Sequence, residues 1–176
     1  MPDCYQGTEY WDLSLVDPDN RRDVDFGARC ASLDAHAPAA LAEQSANGRI
    51  KQSLMARVLE VRRRAPRLFS EGDYLPIAAQ GALADHIVAF ARVLGDSSAI
   101  TIVCRLAAAL LDPIGGLSIP ASAWNDTRLL VPENLRMVSF SDVLRGHTSL
   151  RLDHGWHLGQ ILSSPPLAFL VSEARS

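Results

Sequence analysis

The chain has 176 residues, 48% of them hydrophobic, enough to bury one sizeable core and at most two small domains. Its 17 basic and 20 acidic residues leave a net charge of −3 and no broad basic field, which argues against nucleic acid or an anionic membrane as a partner. No run approaches the roughly 18 apolar residues of a membrane span, and the first residues carry acids (Asp3, Glu9, Asp12, Asp17, Asp19) instead of a signal pattern, so a soluble cytoplasmic protein is expected.

Residues 1–24 mix aromatics, acids, glycine and an Asp17-Pro18-Asp19-Asn20 turn without sustained period, which predicts a long structured loop. Val24, Phe26, Ala28, Cys30 and Leu33 then permit a short helix over 24–33, with Asp23 as its expected cap. Residues 36–48, rich in Ala and Ser and ending at Asn47-Gly48, read as a connection. The clearest helix is 49–64, where Ile50, Leu54, Val58 and Val61 recur at helical spacing and Met55 and Leu59 widen the stripe. Arg62, Arg63 and Arg64 suit the negative end of its dipole, and Pro66 disfavours helical geometry at Ala65, so the basic run reads as a helix end and not a binding patch.

After Gly72 the pattern turns strand-like. Strands are expected at 74–78, 87–93, 99–105, 127–131, 137–140 and 167–171, each short and bounded by turn residues. The second and third flank Leu94-Gly95-Asp96-Ser97-Ser98, a five-residue hairpin loop by this reading, and 106–111 fits helix or loop. From residue 72 onward the expectation is a small antiparallel β-sandwich.

Cys4, Cys30 and Cys104 are odd in number and lack CxxC spacing, so neither a disulfide framework nor a zinc site is expected, and no cofactor is implied. Asp153-His154-Gly155-Trp156-His157 offers two histidines without clustered ligands and reads as a loop, not a metal site. His147, Ser149 and Asp153 lack the Gly-x-Ser-x-Gly elbow of a hydrolase triad.

The opening PDCYQGTEYWDLSLVDPDNRR, residues 2–22, closely resembles the segment leaving the last barrel strand in the malto-oligosyltrehalose synthases of the α-amylase superfamily. The wider superfamily keeps a looser pattern there, matched by Pro2, Tyr5, Gly7 and Glu9. Leu59 to Pro66, Leu68-Phe69, Gly72-Asp73-Tyr74, Val88 to Arg92, Trp124 to Leu129 and Pro166 to Leu170 continue the resemblance in order. It is weakest over 107–122 and 143–164, and Asp23 and Cys104 stand where the family commonly has proline. The fold implied is α+β: residues 1–71 a remnant of the last βα unit of a (β/α)8 barrel with helices, and residues 72–176 the C-terminal β-sandwich.

The family converts the reducing-end α-1,4 bond of a malto-oligosaccharide into an α,α-1,1 bond, an intramolecular transglycosylation belonging to trehalose biosynthesis. Retention requires a nucleophilic carboxylate and a carboxylic acid about 5 to 5.5 Å apart across the bond. The family's nucleophilic aspartate, acid/base glutamate and third aspartate match no position here. No catalytic residue is therefore assigned, and the chain alone is expected to be inactive. The loop's implied role is to hold sugar: Gln6, Glu9, Asp17, Asn20, Arg21 and Arg22 carry suitable polar groups, and Tyr5, Tyr10 and Trp11 could stack on it. A purely structural reading stands beside this, with residues 17–20 a turn, the arginines paired to nearby acids and the aromatics packing the loop. The expected partners are malto-oligosaccharide when the barrel is complemented, the barrel portion itself, or a second copy. The competing reading is a non-catalytic carbohydrate-binding or assembly module.

Overall fold

The computed structural model describes residues 5–13, 15, 23–33, 46–112, 116–136, 138–146, 148–150, 155–162 and 164–173. The expected short helix is α1, Phe26–Leu33. Its cap is Asp25, not Asp23: the Asp25 carboxylate accepts the Ala28 N–H at 2.8 Å, satisfying a donor three residues on that Asp23 lies too early to reach. Of the expected connection over 36–48, residues 36–45 lie outside the described residues.

The predicted long helix is α2, Arg49–Arg64, and its boundaries match the sequence reading. The Ala65 N–H closes it on the Val61 carbonyl at 2.9 Å. Pro66 does more than stop it: proline occupies the first turn of a further helix, α3, Pro66–Ser70, where its missing N–H costs nothing. In the basic run, Arg63 and Arg64 donate to Glu60 at 2.8 and 2.7 Å, and those hydrogen bonds hold the Glu60 carboxyl down at about 2.

Among the described residues nine strands follow: β1 Asp73–Ile77, β2 Ala79–Gln80, β3 Ile87–Leu94, β4 Ser97–Cys104, β5 Arg128–Leu129, β6 Phe140–Asp142, β7 Thr148–Leu150, β8 Trp156–His157 and β9 Leu167–Ser172. They form an antiparallel six-stranded sheet ordered β1-β3-β4-β9-β6-β7 and an antiparallel three-stranded sheet ordered β2-β5-β8. The hairpin is tighter than expected: Leu94 pairs with Ser97, leaving Gly95 and Asp96 as a two-residue loop with Gly95 at φ 57°. The expected strand 127–131 contracts to β5, because Thr127 is fully buried with its N–H on the Trp124 carbonyl and its hydroxyl accepting from Leu83 N–H at 3.2 Å. The strand expected over 137–140 shifts to β6, whose Phe140, Ser141 and Asp142 face Ser172, Val171 and Leu170; Met137 lies outside the described residues. Residues 106–111 contain one 3-10 turn, Ala107–Ala109. Trp156-His157, expected in a loop, is β8.

Alternation divides the large sheet's two faces. Ile100, Ile102, Ala168 and Leu170 point into a core shared with Leu129 and Trp156 of the small sheet and with Trp124. Ala99, Phe169, Leu167 and Val171 point the other way, against Leu54, Val58 and Val61 of α2 and Leu68 of α3. Leu54, Val58 and Val61 of the predicted α2 stripe thus pack on the sheet side, while Ile50, 1% exposed, is buried in a separate cluster with Leu54 and Leu117. Short helices complete the fold: α4, Glu133–Arg136, and α5, Leu158–Ile161, with a 3-10 turn at Ala121–Trp124. Among the described residues no helix is long and apolar enough to cross a membrane.

Candidate functional site

The opening segment, residues 5–13, lies across α1 and the first turn of α2, and the reason is local chemistry. Thr8 folds back on Tyr5, its hydroxyl donating to the Tyr5 carbonyl at 2.8 Å. That turn aims the Glu9 carboxylate inward, where it accepts the Gly7 N–H and the Arg29 Nε, each at 3.0 Å. Arg29 spends the rest of its fork on carbonyls, Nη2 to Gly7 at 2.7 Å and Nη1 to Asp25 at 3.0 Å. Its guanidinium carbon sits 4.8 Å from the centre of the Tyr10 ring, within cation–π range. The Tyr10 hydroxyl in turn meets Ser32 Oγ and the Ala28 carbonyl.

Two residues of α2 complete the clamp. Lys51 Nζ donates to the carbonyls of Thr8 and Tyr10 at 2.6 and 3.2 Å. The buried Gln52 amide donates to the Arg29 carbonyl at 2.9 Å and accepts from Ser32 Oγ at 2.7 Å, tying α1 to α2. Gly48 permits the close approach: it has φ 78°, and a Cβ there would stand 2.3 Å from the Trp11 amide nitrogen.

Burial pushes the Glu9 carboxyl upward, but its hydrogen bonds from the backbone N–H groups of Glu9 and Gly7 and from Arg29 outweigh this, and its pKa lies below the ordinary 4.5. Glu9 is therefore a carboxylate held in a partly buried ion pair, its side chain 26% exposed and that of Arg29 17%.

Beside this clamp opens a groove of about 320 Å³. Tyr5, Gln6 and Glu9 line it from the opening segment, Phe26, Arg29, Cys30 and Leu33 from α1, and Gln52, Met55, Ala56 and Leu59 from α2. The structure thus brings Gln6 and Glu9 together at one groove, next to a Tyr5 ring that is 73% exposed. Asp17, Asn20, Arg21 and Arg22 lie outside the described residues. Arg29, Lys51 and Gln52, which build the clamp, were not singled out from sequence. One signal was there: Arg29 is the only charged residue within α1, four positions after Asp25, in a segment otherwise small or apolar. Among the described residues no group of three His, Cys, Asp or Glu could hold a metal ion, and Cys30 and Cys104 are free thiols. Cys4, and the His147, Asp153 and His154 of the two motifs set aside, lie outside the described residues.

No family model matches the chain. Two curated proteins from two strains of Mycobacterium tuberculosis, both named maltooligosyl trehalose synthase, are 37% identical over 149 residues, 85% of this chain. The chain spans only 16% of the length of these relatives. Among solved structures, maltooligosyltrehalose synthase from Arthrobacter ramosus superposes over 98% of this chain and 20% of its own, with TM-score 0.71 at 36% identity. A point variant of that enzyme gives TM-score 0.74 at 35% identity over the same shares. A further maltooligosyl trehalose synthase crystal structure, 24% identical with TM-score 0.60, shares the fold. The chain is a homologue of the C-terminal portion of the maltooligosyltrehalose synthases.

Proposed function

We propose that this chain supplies the C-terminal part of an isomerase that turns the reducing-end α-1,4 bond of a malto-oligosaccharide into an α,α-1,1 bond, in the cytoplasm and in trehalose biosynthesis. The observation that carries this reading is the collinear match to the Arthrobacter ramosus enzyme over 98% of the chain. In this reading residues 1–71 complete the last unit of a (β/α)8 barrel, and residues 72–176 form the β-sandwich that supports it. The two antiparallel sheets meeting over one core support the second assignment.

The chemistry divides accordingly. A retaining transglycosylation needs two carboxylates held across the scissile bond. The Glu9 carboxylate is held by Arg29 and the Gly7 N–H, a positioning role for the opening segment and not that of a nucleophile. Gln6, Glu9, Asp17, Asn20, Arg21 and Arg22 are proposed as contacts to the sugar, which must be oriented and shielded from water while its anomeric hydroxyl re-attacks. Gln6 and Glu9 offer that contact at the polar end of the groove.

The test is complementation. The chain is mixed with the separately produced portion of the Arthrobacter ramosus enzyme that precedes the matched region, and maltopentaose is supplied. Trehalosyl product from the mixture, and none from either part alone, is expected. Turnover by this chain alone, or none by the mixture once a complex has formed, would count against the reading.

A further inference from the structure

The helices cover only part of the outer face of the large sheet. Tyr74 and Pro76 of β1, Phe90 and Arg92 of β3, and Thr101 and Val103 of β4 alternate with core residues and share the face on which α2 and α3 lie. The helices reach Ala99, Phe169 and Val171, but Tyr74, Val88, Phe90 and Val103 pack into none of the cores. Tyr74 is 55% exposed, Val88 46% and Val103 39%. The Tyr74 and Phe90 rings lie 5.0 Å apart and are tilted by 32°. Phe90 thus backs the tyrosine ring and leaves its far side to solvent. Two polar side chains stand beside this pair. Arg92, directly opposite Tyr74, is anchored by Nη2 to the Phe69 carbonyl at 2.7 Å, and among the described residues its other N–H groups have no acceptor. Thr101, directly opposite Phe90, has a hydroxyl that is likewise without a partner there.

We propose that this strip of the sheet is a carbohydrate site separate from the groove beside the opening segment, and that it takes an α-1,4-glucan chain. A pyranose ring has a face of C–H groups rimmed by hydroxyls. The open side of Tyr74 receives the first, and Arg92 and Thr101 answer the second with a fixed donor and a hydroxyl that both donates and accepts. Three strands at about 4.8 Å spacing make a strip about 10 Å wide, enough for a short run of sugar rings. Two features weigh against a protein as the occupant. The apolar side chains of the strip expose on the order of 300 Å², well short of the roughly 800 Å² that each partner buries in a stable protein interface. Apolar protein laid over the strip would also strand the open donors of Arg92 and Thr101, which sugar hydroxyls satisfy. That a sugar binds rests on the strip alone; that the sugar is an α-glucan rests on the function proposed above.

The test is a titration of this chain with maltoheptaose, and with cellohexaose as the β-linked control, read by calorimetry and by amide chemical shifts. Maltoheptaose is expected to bind the more tightly and to shift amides of β1, β3 and β4 around Tyr74, Phe90, Arg92 and Thr101. Tyr74→Ala is expected to weaken binding at least tenfold and Thr101→Val about threefold, both with native circular dichroism. Thr101→Val keeps a β-branched residue in its strand and so decides the matter should Tyr74→Ala disturb the fold. Leu130→Ala, at a 49% exposed position outside the strip, is expected to bind as the unaltered chain does. No binding of maltoheptaose, full affinity in Thr101→Val or in a folded Tyr74→Ala, or shifts confined to residues 5–13 would overturn the proposal. Equal affinity for cellohexaose would overturn the choice of an α-glucan, and self-association that Tyr74→Ala dissolves would make the occupant a second copy. Binding at the strip without turnover in the complementation experiment leaves this site standing and sinks the catalytic proposal; turnover with full affinity in the strip variants does the reverse.

Discussion

Arg29 binds the opening segment at the Glu9 carboxylate, the Gly7 carbonyl and the Tyr10 ring while standing on its own helix. The ion pair is only partly exposed, so it resists screening better than a surface pair. Because the folded pKa of Glu9 is depressed, its contribution is present above the ordinary 4.5 and is lost as pH falls through the folded value. Glu9→Gln is accordingly expected to destabilise the clamp by about 1 kcal/mol at neutral pH, with the difference from the unaltered chain shrinking in acid. Thermal unfolding of both proteins from pH 7 to pH 3 measures it, and a gap that widens in acid would contradict the assignment. A second buried carboxylate makes a stronger case. Asp142 is 1% exposed, caps the Leu144 N–H at 2.9 Å and pairs with Arg145, which also donates to the carbonyls of Pro165 and Leu167 at 3.2 Å. Arg145→Met strands that carboxylate and is expected to cost about 3–5 kcal/mol in urea unfolding. Adding Asp142→Asn to it should recover part of the loss, because most of that cost comes from the stranded charge.

At the scale of elements, Gly48 is where the opening segment and α2 meet. Gly48→Ala adds a Cβ against the Trp11 backbone, at 2.3 Å, in a left-handed conformation that itself costs an L-residue roughly 1–2 kcal/mol. The expected outcome is release of residues 5–13, read as faster amide exchange there, with β3 and β4 still protected; uniform protection across both regions would refute it. The same contrast explains what the sequence could reveal. The ends of α2 were legible because its period, terminal arginines and Pro66 are all local, and β3, β4 and β9 because an apolar run suffices for a central strand. The two-residue strands β2 and β8 carry no such run, and of the run expected over 127–131 only Arg128–Leu129 is paired, as β5. All three pair only because segments 48 and 29 residues apart are brought into register, Gln80 with Arg128 and Arg128 with His157, a condition no window contains. The candidate site divided likewise. Residue type alone marked Gln6 and Glu9, but Glu9's commitment to a helical arginine 20 positions away became visible only in the fold.

For the whole molecule, the decisive feature is that one core serves both sheets. Ile100 and Ile102 of β4 and Leu170 of β9 share that core with Leu129 and Trp156 of the small sheet. A sheet of two-residue strands has almost no stability of its own, since its ladder closes too few contacts to offset the order imposed on the chain. It should therefore unfold with the large sheet and not before it. The chain carries its own reporters for this. Trp124 and Trp156 are 0% and 2% exposed, whereas Trp11, on the opening segment, is 47% exposed. The indole nitrogens of the two buried tryptophans find no hydrogen-bond partner among the described residues, which places their emission toward the blue. Urea titration followed by tryptophan emission and by far-ultraviolet circular dichroism should give coincident transitions. Ile100→Ala, at a fully buried position, should move both to lower urea together, by an amount equivalent to about 2–5 kcal/mol. An emission change that runs ahead of the loss of strand signal would mean that the small sheet leaves first, and that the shared core is two cores.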